Sequence, residues 1–174
     1  SVICIIERIY KLGLCSLNAN TTGDYNVAIG TCALDANTTA NNNTAVGHNS
    51  LLANTTGNTN TAVGYQSSLS NTTGTLNASF GDNSFRCNTT GANNTGLGTS
   101  ALFHNTTASF NTGVGSEALS TNTTGANNVA VGRLALKCNT TASDNTAVGF
   151  SALTANTTGA RNTAVGINSL EANT

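Results

Sequence analysis

The tripeptide Asn-Thr-Thr returns every 17 residues, at Asn20, Asn37, Asn54, Asn71, Asn88, Asn105, Asn122, Asn139 and Asn156, and no insertion breaks the interval. With that Asn as position 1, the unit reads N-T-T-[GA]-x-x-N-x-[AGS]-[VILF]-G-x-x-[AS]-L-x-x. A second Asn fills position 7 in all nine copies, from Asn26 to Asn162, and a Gly fills position 11, from Gly30 to Gly166. Self-similarity of this kind marks a repeat architecture, in which one unit cannot bury a core alone and must stack on its neighbours.

Seventeen residues are too few for the helix pair of a helical repeat, and Asn, Thr and Gly are poor helix formers. One coil of a parallel β-solenoid fits the length. Thr61-Ala62-Val63 and its equivalents read as a short β-prone strand ending at the Gly. The Ala-Leu pair, as in Ala101-Leu102 and Ala152-Leu153, reads as a second short strand. Gly at positions 4 and 11 would turn corners, with Ala40, Ala108 and Ala142 marking position 4 as the less demanding. Asn before the strand suits a turn.

Coils about 4.8 Å apart convert equal positions into vertical ladders, and ten of them make a rod on the order of 48 Å long. Val46, Val63, Leu97, Val114, Val131, Val148 and Val165 form one expected apolar ladder. Leu34, Leu51, Leu102, Leu119, Leu136, Leu153 and Leu170 form another, with Phe85 substituting and Ser68-Leu69 slipping by one. The expected fold is all-β, a parallel β-solenoid of about ten 17-residue coils. Residues 1–19 make a degenerate first coil that caps or docks, with Gly13 and Leu17 in register. Residues 20–172 make nine repeats, and 173–174 open the next copy of a longer array. The apolar start Val2-Ile3-Cys4-Ile5-Ile6 is broken by Glu7, Arg8 and Lys11, which disfavours a targeting segment.

Composition then narrows function. Asn (28) and Thr (31) make up about a third of 174 residues, only 7% are charged, and Pro, Met and Trp are missing. Six Lys and Arg against seven Asp and Glu supply no basic field for nucleic acid. Two His and seven carboxylates are a poor stock of general acids and bases. No catalytic residue, cofactor or metal set is expected, and no stretch suits a membrane span. His48 and His104 read as solvated, and Asp24, Asp35, Asp82 and Asp144 are too scattered for a calcium roll. Cys15 and Cys32 lie one repeat apart, so stacking sets them at a spacing compatible with a disulfide. Cys87 and Cys138 share a column three coils apart.

Asn43-Thr44-Ala45-Val46-Gly47 with Ser50-Leu51, and Asn145-Thr146-Ala147-Val148-Gly149 with Ala152-Leu153, resemble the head repeats of trimeric autotransporter adhesins and similar arrays in phage tail fibres. The resemblance covers the chain from Ile3 onward. It implies a parallel β-roll, often trimeric, that forms an extracellular stalk, head or fibre and binds surfaces. The unit here is a few residues longer and carries the added N-T-T-G segment.

Two further chemistries attach to the Asn and Thr columns. Asn-x-Thr is an N-glycosylation acceptor in a secreted eukaryotic chain, so Asn20, Asn37, Asn54, Asn71, Asn88, Asn105, Asn122, Asn139 and Asn156 are candidate sites of a glycan row. Asn42, Asn77 and Asn93 add acceptors outside that column. The competing reading is a hydrogen-bonded amide ladder. Ice binding through Thr is the distant alternative, because adjacent Thr residues alternate to opposite sides. The function these readings favour is an extracellular or virion-surface structural fibre, a rigid rod self-assembling end to end or laterally, homotrimer included. An adhesin or receptor-binding fibre with a host-surface ligand is the runner-up.

Overall fold

A computed structural model describes residues 4–6 and 9–173. Val2, Ile3, Glu7 and Arg8 lie outside the described residues. The chain is an all-β parallel solenoid. Its strands are β1 (Cys4–Ile6), β2 (Ile9–Leu12), β3 (Asn26–Ile29), β4 (Thr44–Val46), β5 (Thr61–Val63), β6 (Ala78–Phe80), β7 (Thr95–Leu97), β8 (Thr112–Val114), β9 (Val129–Val131), β10 (Thr146–Val148) and β11 (Thr163–Val165). They form one sheet in sequential order. From β2 to β11 every pairing is parallel and every register step is 17, as in Thr44 with Thr61 and Thr146 with Thr163.

The first strand departs from the expected first coil. Residues Cys4 to Ile6 fold back antiparallel on β2, pairing Cys4 with Lys11 and Ile6 with Ile9. Only Ile9 onward is in solenoid register, so this segment is a hairpin laid on the first coil. The hairpin needs no crossover, whereas a parallel partner needs a full coil of chain.

The Ala-Leu pair is likewise not a strand. Positions 12 to 17 form consecutive turns, with positive φ at position 13 and again at the Leu of position 15. Position 6 repeats this, so each of the nine repeats holds three non-Gly residues in left-handed backbone, and among the described residues these φ values run from 47° at Leu17 to 63° at Leu134. Such backbone costs roughly 1–2 kcal/mol per L-residue. At position 15, burial of the Leu side chain, worth about 1.5–3 kcal/mol, offsets it. The turn backbone is also tied to the next coil, for example by Leu34 N–H to the Ser50 carbonyl at 3.0 Å and Leu102 N–H to the Ala118 carbonyl at 2.9 Å.

The core corrects a second expectation. From β3 onward each strand is three or four residues long with a small residue turned inward, so Ala28, Ala45, Ala62, Ala130 and Ala147 are fully buried. The Val column of position 10 faces outward: Ile29, Phe80, Leu97 and Val148 expose 40%, 39%, 45% and 36% of their surface. In so narrow a coil the Leu of position 15 occupies the interior, and strand alternation lets only one residue of Thr-Ala-Val join it. Leu34, Leu51, Leu102, Leu119, Leu136 and Leu153 are all buried, as expected.

Ser68 shows no slip. It holds the Leu position, and its hydroxyl lies 2.8 Å from that of Ser79, which is also hydrogen-bonded to Ser67. Phe85 takes the same column one coil later and is fully buried. These serines interrupt the apolar interior. One cluster runs from Leu17 to Ala62 and a second from Phe85 to Ala164.

Gly at position 11 has a steric cause. At Gly64, φ is 135° and an added Cβ would stand 2.4 Å from the Gly81 carbonyl oxygen. The column is therefore both a left-handed corner and a place where neighbouring coils approach too closely for a side chain.

Candidate functional site

The two invariant Asn columns point inward. Asn37, Asn54, Asn88, Asn105, Asn122, Asn139 and Asn156 are fully buried, as are Asn26, Asn43, Asn111, Asn128 and Asn145. A buried amide must find partners for its donors and its acceptor, and the stack supplies them by repetition. At position 1, the Nδ2 of each Asn donates to the Oδ1 of the preceding coil and to its own position-4 carbonyl. Asn122 makes these bonds to Asn105 at 3.0 Å and to Gly125 at 2.9 Å. At position 7 the direction reverses. Asn111 Nδ2 donates forward to the Gly125 carbonyl at 2.8 Å, and Asn111 Oδ1 accepts the Asn128 N–H at 2.9 Å. Each such position-4 carbonyl thus takes one amide from its own coil and one from the coil before. Among the buried amides of the described position-7 column, that of Asn43 departs from the pattern, its Nδ2 having no hydrogen-bond partner.

This geometry favours the amide ladder over the glycan row. A sugar replaces one hydrogen of Nδ2, and in Asn54, Asn71, Asn88, Asn105, Asn122, Asn139 and Asn156 both hydrogens are committed inside a closed coil. Asn37 makes the same pair of bonds, and Asn20, the half-exposed first rung, donates to Gly23. Asn77 is buried as well, whereas Asn42 and Asn93 are exposed.

The Thr at position 2 belongs to the same scaffold. Its hydroxyl donates to the Thr carbonyl one coil on, as from Thr72 to Thr89 at 3.0 Å and from Thr123 to Thr140 at 2.9 Å. That explains a Thr that an acceptor tripeptide would leave free to vary. The Thr at position 3 is exposed throughout. As alternation demands, the adjacent pair does not present two hydroxyl rows on one face.

The outward face of the sheet is the feature that sequence reasoning placed inside. Two columns line it: Thr, Val or Ala at position 8, and Val, Ile, Leu or Phe at position 10. It begins at Tyr10 and Leu12, which expose 57% and 41% of their surface, and continues to Val165. The strip is on the order of 48 Å by 10 Å, within the range of the largest apolar patches on soluble monomers. A signal for it was present in size tolerance. Position 9 accepts only Ala, Ser or Gly, as a packed interior requires, while position 10 accepts Phe80 beside Val63.

The remaining candidates sit on the turns of positions 12 to 17. Cys15 and Cys32 stack one coil apart as free thiols. Partial burial, and then the neighbouring Cys15, push the Cys32 thiol above its ordinary value. Cys87 and Cys138 are free thiols too. His48 is exposed and stacks on Tyr65, with ring centroids 5.5 Å apart. His104 is also exposed, and its Nδ1 lies 3.1 Å from the Ser120 carbonyl.

A groove of about 340 Å³ opens in the surface between Phe103 and Lys137, floored by Ser120. Lys137 and Glu117 form an ion pair at 2.8 Å on its rim, and that hydrogen bond holds the Glu117 carboxyl below the usual range. Among the described residues no group of three or more His, Cys, Asp or Glu side chains converges on a metal-sized site. Among them, too, no helix is long and apolar enough to cross a membrane. No family model matches the chain, and no curated protein or solved structure matches it significantly.

Proposed function

We propose that the chain is a structural rod of an extracellular fibre, mechanical rather than catalytic, whose outward strand face packs against parallel copies of itself. The observation that carries this reading is the continuous apolar column from Leu12 to Val165, set on a parallel sheet. Water is a poor neighbour for ten stacked apolar side chains, and burying them returns about 25 cal/mol for each Å² removed from solvent. A second copy is the natural cover, because its identical 17-residue period places a matching column opposite every rung. Two such strips reach roughly the area at which specific interfaces begin. The low net charge, −1 over 174 residues, puts little repulsion between copies. The resemblance to adhesin heads and tail fibres supports the extracellular setting.

Sedimentation equilibrium of the full chain tests the reading, with Val63→Lys plus Val131→Lys as the comparison. Both positions are solvent-facing in the single rod, so the variant keeps its circular-dichroism spectrum. The native chain is expected to sediment as two or three copies and the variant as one. A native chain that sediments as one copy overturns the proposal.

A further inference from the structure

We infer that the groove at Ser120 is a recognition site for one uncharged pyranose ring of a glycan. The argument begins with the column at position 16, whose members stack rung upon rung along the turns. Arg86, Phe103, Ser120 and Lys137 occupy four successive coils. Three are long and one is short, so the surface drops by one side chain at Ser120, itself only 7% exposed. The walls stand two coils apart, about 9.6 Å from backbone to backbone. Less the thickness of the side chains, that gap admits one ring lying across the rod.

The walls have the chemistry of a sugar site. A pyranose presents an apolar C–H face and a rim of hydroxyls, and an aromatic face beside paired donors and acceptors is complementary to both. The guanidinium of Arg86 lies 5.6 Å from the Phe103 ring centroid and covers the ring from the preceding coil. The His104 ring meets Phe103 edge-on with centroids 4.7 Å apart, so the ring is braced in place. Its other side fronts the groove. Across the notch, Glu117 supplies acceptors and Lys137 supplies donors. Their ion pair leaves each about a third exposed, at 38% and 37%, and fixes both at the rim. Because the pair sums to zero charge, the site suits a neutral hexose over a sialic acid, a sulfate or a phosphate. The groove lies on the turns rather than on the strands, so lateral packing of the sheet faces and occupation of this site are independent.

Saturation-transfer NMR on the full chain tests the site, with methyl α-D-glucopyranoside, methyl α-D-mannopyranoside and methyl β-D-galactopyranoside as probes. The methyl glycoside of N-acetylneuraminic acid serves as the charged comparator. Ser120→Leu fills the notch with a residue that position 16 already carries at Leu52 and Leu69, so the coil is retained. Phe103→Ala removes the platform from the other side. At least one neutral hexoside is expected to receive saturation at the C–H protons of one ring face. That transfer should disappear in Ser120→Leu and weaken at least tenfold in apparent affinity in Phe103→Ala. No transfer to any neutral probe overturns the inference. Transfer confined to the sialoside, or unchanged in both variants, overturns it as well.

Discussion

Asn122→Ala tests whether the repeat is held together from inside by its amides. The substitution deletes three hydrogen bonds: Nδ2 to Asn105 Oδ1 at 3.0 Å, Nδ2 to the Gly125 carbonyl at 2.9 Å, and the bond that Asn139 Nδ2 sends to Asn122 Oδ1 at 2.8 Å. None of the abandoned groups is left wholly bare, since Gly125 keeps Asn111, Asn139 keeps the Ala142 carbonyl, and Asn105 Oδ1 keeps a long bond from Asn111 Nδ2 at 3.4 Å. At about 1 kcal/mol for each neutral bond, the loss is about 3 kcal/mol. Asn122→Asp has nearly the same shape but turns an acceptor toward two acceptors. Its carboxyl must therefore stay protonated in the folded coil, so its folded pKa is raised above the unfolded value of about 3.9. The folded state then holds the proton that the unfolded state releases, and stability falls as pH rises above about 4. The slope is about 1.4 kcal/mol per pH unit, up to the folded pKa. Urea denaturation followed by circular dichroism, with hydrogen exchange of the flanking coils, reads both variants. Thr124→Ala, at an exposed position, is the control. An alanine cost under 1 kcal/mol, together with a pH-independent Asp variant, would falsify the inward ladder and restore position 1 as a surface column.

Two further outcomes are expected. Gly98→Ala sets a Cβ 2.7 Å from the Gly115 carbonyl carbon with φ at 133°, so it should lower stability by at least 2 kcal/mol, about the cost of a strained backbone plus a clash; a change within 0.5 kcal/mol in a denaturant melt would mean the corner is not held there. With oxidised glutathione as the oxidant, Cys15 and Cys32 should join, each losing its thiol hydrogen while glutathione is reduced, and intact-mass measurement should show Cys87 and Cys138 still open to alkylation in a single rod. Four alkylatable thiols among those residues after oxidation would refute the pairing.

The period made the coil legible because stacking imposes one register on every bond, and a register of 17 has few structural solutions. Thr-Ala-Val was readable as a strand from its residue types, and Leu at position 15 as interior from its constancy. The side of Val was not readable from hydrophobicity alone. In a two-layered protein an apolar residue on a strand faces the core, but here the core is one residue thick and already filled by Leu102 or its equivalents. The turns were missed for a related reason. Leu119 and Glu117 adopt left-handed backbone that neither favours by itself. They do so because the neighbouring coils supply hydrogen bonds that no single copy of the unit can show. The Asn columns stood open between a surface and an interior role, since Asn-Thr-Thr satisfies both descriptions. Only the position-4 carbonyl, receiving two amides, separates them. The groove at Ser120 was visible as irregular sequence, but its depth depends on which residues fall above and below it.

The amide and backbone bonds that join coils reach no farther than the next coil, and this has a consequence for how the molecule comes into being. Each completed coil exposes a full set of donors and acceptors in the pattern that the following 17 residues are built to meet. The finished edge therefore acts as a template on which the incoming chain is copied. The β1–β2 hairpin, closed within eight residues of sequence, provides a first edge without waiting for distant partners. Synthesis can then wind the coils that follow this hairpin one by one as the chain emerges. The same rule quantises its length. Removing a whole coil rejoins every column, whereas losing a single residue displaces every rung that follows from the template beneath it.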